Sequence, residues 1–153
     1  MLTKVRALLE KREFVSVASC DAKGKPNAAP KFILKFKDNL IYLVDYTLGR
    51  TYLNLKVNPQ VSLSFMDTES LAGYQLNGSV ELIETGSEFE EMRAEVLAKE
   101  VDLSARRIIE GVTSEKKHRN FELAIRDQMV IIKVQIKEVV EICPTGKLAR
   151  HEI

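Results

Sequence analysis

Two strand-forming runs, residues 27–36 and 40–45, are separated by Lys37-Asp38-Asn39 alone, and that gap constrains the fold more than any other feature of the chain. So short a connection lets the second strand return only antiparallel, because a parallel neighbour needs a long crossover. The pattern repeats upstream. Residues 14–20 alternate apolar and small polar side chains, as a strand with one buried face does. Asp21-Ala22-Lys23-Gly24-Lys25-Pro26 then supplies turn chemistry, with Gly24 free to take a positive φ.

The remaining elements follow from periodicity. Leu2, Val5, Leu8 and Leu9 recur at helical spacing and predict an N-terminal helix over 2–12. Within the second strand Phe32, Leu34 and Phe36 share one face, and Lys31, Ile33 and Lys35 the other. A short helix follows the third strand and stops at Asn58-Pro59, since the residue before proline avoids the helical region. Residues 61–66 predict a fourth strand and 73–84 a fifth, where Gly78 marks a bulge. Phe89, Met92, Val96 and Leu97 return to helical spacing after a capping box of Ser87 and Glu90. A second helical stretch spans about 104–126, broken near Gly111-Val112-Thr113, and residues 129–142 form a long final strand. The polar tail from Pro144 is expected to be loosely held.

Strands joined by hairpins without βαβ alternation predict a mainly β, α+β fold: an antiparallel sheet closed into a small barrel with peripheral helices, as one domain over 1–153. The third and final strands are apolar on both faces, while a small barrel fills its interior with one. Helices cover part of the other face, and a second subunit is expected to cover the rest, so a homodimer is the economical expectation.

Composition excludes several classes. Lys and Arg number 23 against 22 Asp and Glu, for a net charge of +1, which offers no electrostatic attraction for nucleic acid or an anionic membrane. No apolar run approaches the ~20 residues of a membrane-spanning helix, and the N-terminal Met1-Leu2-Thr3-Lys4-Val5-Arg6 lacks the apolar core of a signal peptide. Cys20 and Cys143 are far apart, and His118 and His151 are isolated, so no metal site is expected. A cytoplasmic location with two half-buried free thiols is the expectation.

The functional signal is Gly49-Arg50-Thr51-Tyr52-Leu53-Asn54-Leu55, which places an arginine and a threonine at a helix start directly after a strand. Helix N-termini present unpaired N–H groups and partial positive charge, which favour an anion. Arg50 adds a planar fork matched to phosphate oxygens, and Thr51 a hydroxyl donor. The segment reads as a phosphate grip.

In order and spacing, four features resemble the pyridoxamine 5′-phosphate oxidase-like, FMN-binding split-barrel family. They are the Asp21…Gly24-Lys25-Pro26 turn between strands, the 40–45 strand, Gly49-Arg50-Thr51-x-x-Asn54-Leu55 with Asn58-Pro59-x-Val61, and Gly78-Ser79-Val80-Glu81. The resemblance implies an antiparallel split β-barrel that dimerises with FMN at the subunit interface. Carried over by position, Arg50 and Thr51, preceded by Gly49, would hold the FMN phosphate, with Lys31 the next phosphate or ribityl contact. Backbone groups of Lys31, Phe32 and Ile33, and of Asp45, Tyr46 and Thr47, would line the ring and ribityl chain. Asn54 would hold the loop, and Ser64, Tyr74 and Gln75 would come from the partner subunit. The oxidases' substrate-reading pattern near the C-terminus is absent around Arg150 and His151, and the chain has no tryptophan.

The function implied is an FMN-dependent oxidoreductase acting on a small substrate, with an electron donor such as a reduced nicotinamide and no assigned catalytic acid or base. A non-catalytic FMN or electron-transfer protein, and a relative binding deazaflavin or haem, stay open as alternatives.

Overall fold

The computed structural model describes residues 1–114 and 128–153. The chain forms two compact units, one of Met1–Glu84 with Gln128–Ile153 and one of Thr85–Asp127.

The first unit is a closed antiparallel barrel of six strands: β1 (Phe14–Cys20), β2 (Pro26–Lys37), β3 (Leu40–Asp45), β4 (Gln60–Asp67), β5 (Ala72–Ile83) and β6 (Val130–Ile142). Their order is β3-β2-β1-β4-β5-β6, and pairing of β3 with β6 closes the ring. Asp38 takes φ 52° in the turn after β2, where Lys37 pairs Leu40, so the predicted tight hairpin forms. The Gly78 bulge forms too: the β5–β6 register shifts between Asn77 and Gly78. A Cβ on Gly78 would stand 2.2 Å from the Gln135 carbonyl oxygen, so only glycine lets the strands approach there.

Inward positions fill the barrel. Val15, Val17, Ile41, Leu43, Leu63, Leu76, Ile132 and Val134 belong to one buried cluster. Helix α1 (Leu2–Leu9) contributes Val5 and Leu9 to it, and α2 (Arg50–Val57) contributes Leu55. Tyr42, Val44 and Ile131 lie outside that cluster and are buried as well.

Three expectations need correction. The alternation in β2 breaks between Ile33 and Lys35, where the register shifts. Leu34 is the extra residue, so Lys35 leaves the face of Lys31 and Ile33, and Phe36 packs against the core instead. The tail from Pro144 is not loose: β7 (Leu148–Glu152) pairs with β6. It uses the β6 edge that β3 leaves unpaired, since β3 reaches only from Val130 to Gln135. Backbone pairing rather than side-chain burial holds it, which is why no apolar pattern announced it.

Third, the helix of the second unit, α3 (Ser87–Ser114), runs through Gly111 and Val112 without the expected break. One mid-helix glycine costs only about 1 kcal/mol against alanine. The remainder of the expected 104–126 helical stretch lies outside the described residues.

Candidate functional site

Helix α2 sits across one end of the barrel, and the buried polar side chains of this unit gather beneath it. They are Ser19, Lys31, Asp45, Thr51 and Asn54; among the described residues the other buried polar side chain, Ser104, belongs to α3. Burying polar groups costs free energy unless each finds a partner, so the arrangement has to be accounted for bond by bond.

Asn54 donates its amide to the Ser19 hydroxyl at 3.2 Å, and Asn27 donates to Thr51 Oγ1 at 3.0 Å. Asn58, just past the helix, donates to Cys20 Sγ at 3.0 Å. These bonds fix α2 to β1 and β2, with Asn54 tying the helix to β1. Thr51 is buried and accepts from Asn27, which leaves its own hydroxyl proton to be donated elsewhere.

Lys31 faces into the barrel beside Val15 and not onto an exposed strand face. Its ammonium lies 2.8 Å from Asp45 Oδ1, with the two side chains only 6% and 1% exposed. The same oxygen accepts from the Thr47 hydroxyl at 2.8 Å and the Thr47 backbone N–H at 3.0 Å. Burial alone would push the Asp45 carboxyl up, but the Lys31 and Thr47 hydrogen bonds outweigh it and hold its pKa below the ordinary value. Asp45 is therefore an anion at neutral pH. Its second oxygen, Oδ2, is buried with no hydrogen-bond partner among the described residues.

The turn from Asp45 to α2 carries strain. Leu48 takes φ 45°, which costs an L-residue roughly 1–2 kcal/mol. The Asp45–Thr47 bonds hold the turn in that form. Gly49 then precedes α2 without a side-chain cap, so the first-turn N–H groups have no side-chain acceptor there. Arg50 is exposed at this N-terminus, and its charge helps lower the Asp21 carboxyl, whose main cause is hydrogen bonding from the Lys25 backbone.

Of the expected site residues, the structure brings Lys31, Asp45, Thr47, Gly49 and Thr51 together at this end, with Arg50 exposed beside them and Phe32, Ile33 and Tyr46 flanking in sequence. Ser64 and Gln75 pair with each other on the outer face next to Ser16, away from the inward-facing group. Tyr74 lies at the opposite end of β6, paired with Glu141. It stacks on Phe65 at 5.2 Å and donates to Glu141 at 3.1 Å. Asn27 was missed by sequence reasoning; its register opposite Ser19 is visible only once β1 and β2 are paired.

Both cysteines are free and half-buried, as expected. No group of three or more metal-binding side chains occurs among the described residues, and none of their helices is long and apolar enough to cross a membrane. His151 lies in β7 opposite Val139, not on a mobile tail, and its Nε2 is buried. His118 lies outside the described residues.

A family model described as pyridoxamine 5′-phosphate oxidase matches residues 1–143. Among solved structures, a protein from Clostridium acetobutylicum related to general stress protein 26 of B. subtilis, of the pyridoxinephosphate oxidase family, is 19% identical. The match covers 99% of this chain and 94% of that one, with a TM-score of 0.66. A pyridoxamine 5′-phosphate oxidase-related, FMN-binding protein from Nostoc punctiforme is 11% identical over 99% and 95% of the two chains, with a TM-score of 0.61. A heme binding protein from Mycobacterium smegmatis is 15% identical over 97% of this chain and 56% of that one, with a TM-score of 0.63. Likeness at such identities establishes the fold alone. A search of curated proteins found no match.

Proposed function

Because this chain belongs to the pyridoxamine 5′-phosphate oxidase family, we propose that it is an FMN-binding flavoprotein, working as an FMN-dependent oxidoreductase on a small substrate in the cytoplasm. The observation that carries this reading is the uncapped N-terminus of α2, flanked by exposed Arg50, beside the buried Lys31–Asp45 pair and the exposed Thr47 bonded to it. These residues fit the cofactor: first-turn N–H groups and a guanidinium for the phosphate, and a buried acceptor oxygen beside them. FMN when bound supplies the electron-transfer chemistry, and the protein supplies binding and orientation. Arg50 anchors the phosphate, Thr51 donates from the helix start, and the Asp45–Thr47 turn fixes the loop that presents both. Backbone groups of Tyr46, Phe32 and Ile33 would line the ring and ribityl chain.

A homodimer completes the reading, with Ser64 and Gln75 contributed by the second copy. Two rows support it. Pro30-Ser16-Ser64-Gln75 and Ala28-Ala18-Ser62-Asn77 cross four neighbouring strands on the outer face without one charged side chain. Ser16, Ala18, Ala28, Pro30 and Ser64 in these rows are exposed. A solvated sheet face is ordinarily charged, whereas interface centres are depleted of charge.

The visible spectrum of the purified protein, with and without added FMN, tests the proposal. A flavin spectrum that bleaches with NADH or NADPH and recovers with an acceptor supports the enzyme; bleaching without turnover supports an electron carrier. Arg50→Ala should bind FMN about ten times more weakly or worse. A monomer indifferent to FMN in titration overturns the proposal.

A further inference from the structure

The unpartnered oxygen of Asp45 points to a property of the ligand. Three donors crowd Oδ1, from Lys31 and from the hydroxyl and backbone of Thr47, while Oδ2 is just as closed to solvent and has none. An ionised carboxylate can only accept, and a buried acceptor left unpaired is costly enough that native folds rarely keep one. The carboxylate is also close to the start of α2. The Thr47 hydroxyl that touches Oδ1 stands 3.6 Å from where a Cβ of Gly49 would be, and Gly49 is the residue that opens α2. One hydroxyl therefore separates the Asp45 carboxylate from the proposed phosphate grip.

Resting on the flavin reading above, we infer that Oδ2 of Asp45 accepts a hydrogen bond from a hydroxyl of the ligand, so that the site selects a phosphorylated polyol over a ligand whose polar edge holds only acceptors. The ribityl chain of FMN carries hydroxyls next to its phosphate. The propionates of haem carry carboxylates, which beside Asp45 meet like charge and no donor. The contact forms as the loop of residues 46–49 adjusts around the ligand, the loop that already holds Leu48 at positive φ. Lys31 takes a different part from the one its charge suggests. Asp45 neutralises it, so Lys31 positions the carboxylate and does not grip the phosphate.

The test is a cycle between ligand hydroxyls and residue 45, read by flavin fluorescence quenching. Wild-type protein is titrated with FMN, with FMN analogues lacking the 2′-, 3′- or 4′-hydroxyl in turn, and with haemin. One deoxy analogue should bind about 10–100-fold more weakly than FMN. Asp45→Asn should lose the same factor toward FMN and lose nothing further toward that analogue. The wild-type arm needs no variant to fold, and circular dichroism confirms the fold of Asp45→Asn.

If every deoxy analogue binds wild-type protein as FMN does, the inference is overturned while the flavin reading stands. The same follows if Asp45→Asn binds FMN undiminished, or if a crystal structure with FMN shows Oδ2 bonded only to an internal water. Haemin binding in preference to FMN overturns both.

Discussion

Helix α1 covers its end of the barrel with Val5 and Leu9, both fully buried in the core, whereas α2 covers the other end with Thr51 and Asn54 over Ser19, Lys31 and Asp45. Charge occurs at both ends but in opposite settings. At the α1 end Lys4 meets Glu141 at 2.8 Å near the surface, above Tyr74, and the core below is apolar. At the α2 end the ion pair is itself the buried layer. An end built only for stability needs nothing beyond the first arrangement, because surface pairs contribute little and apolar packing contributes most. A buried ion pair is weak evidence for stability, since desolvation offsets its attraction. Stability alone does not account for the polar layer at the α2 end, which fits the proposed placement of the ligand there.

The largest effect that could break this comparison is at Asp45. Asp45→Ala should destabilise the fold by about 3–5 kcal/mol in urea unfolding, because it strands a buried ammonium. The double variant Lys31→Met/Asp45→Leu should recover most of that loss. A double variant as unstable as the single would mean that the pair stabilises outright.

Next is the apolar end. Leu9→Ala should cost about 2–5 kcal/mol through lost burial and a cavity, while FMN affinity stays within twofold of wild type. A large loss of affinity would show that the two ends are not independent.

The smallest effect is on the response to acid. The folded-state pKa of Asp45 lies below the ordinary value, so its stabilising contribution is complete above the ~3.9 of an unfolded aspartate and is lost as pH falls below it. Glu141 at the other end is lowered as well, chiefly by its hydrogen bond from Lys4. Both ends thus weaken in acid. The urea midpoint should fall less steeply between pH 5 and pH 3 in the Lys31→Met/Asp45→Leu variant than in wild type, and equal slopes would assign the acid sensitivity elsewhere.

Much of the fold was legible in sequence because short connections and period-two alternation are local signals. The hairpin at Lys37-Asp38-Asn39 and the stop at Asn58-Pro59 each depend on neighbours a few residues away, and Gly78 signals its bulge by residue type although the strand it approaches, β6, lies far along the chain. The site was legible only in part. Gly49-Arg50-Thr51 announced an anion grip through its own residue types, and Asp45 entered only as a backbone contact implied by the family resemblance. The role of Lys31 was hidden, since it sits among the lysines of β2 and looks like a solvated face. The β7 strand was hidden as well, because Leu148–Glu152 buries little and owes its place to the exposed edge of β6.

The hairpin-linked strands, the helix after β3 and the positive start of that helix were set by sequence alone, because each arises from the chain's preferences over a handful of residues. Only the tertiary structure decided that Lys31 turns inward onto Asp45, that Asn27 meets Thr51, and that one carboxylate oxygen is left without a donor. Those facts require strands fourteen residues apart along the chain to close side by side, Lys31 on one and Asp45 on the other. No pattern within either strand carries that information.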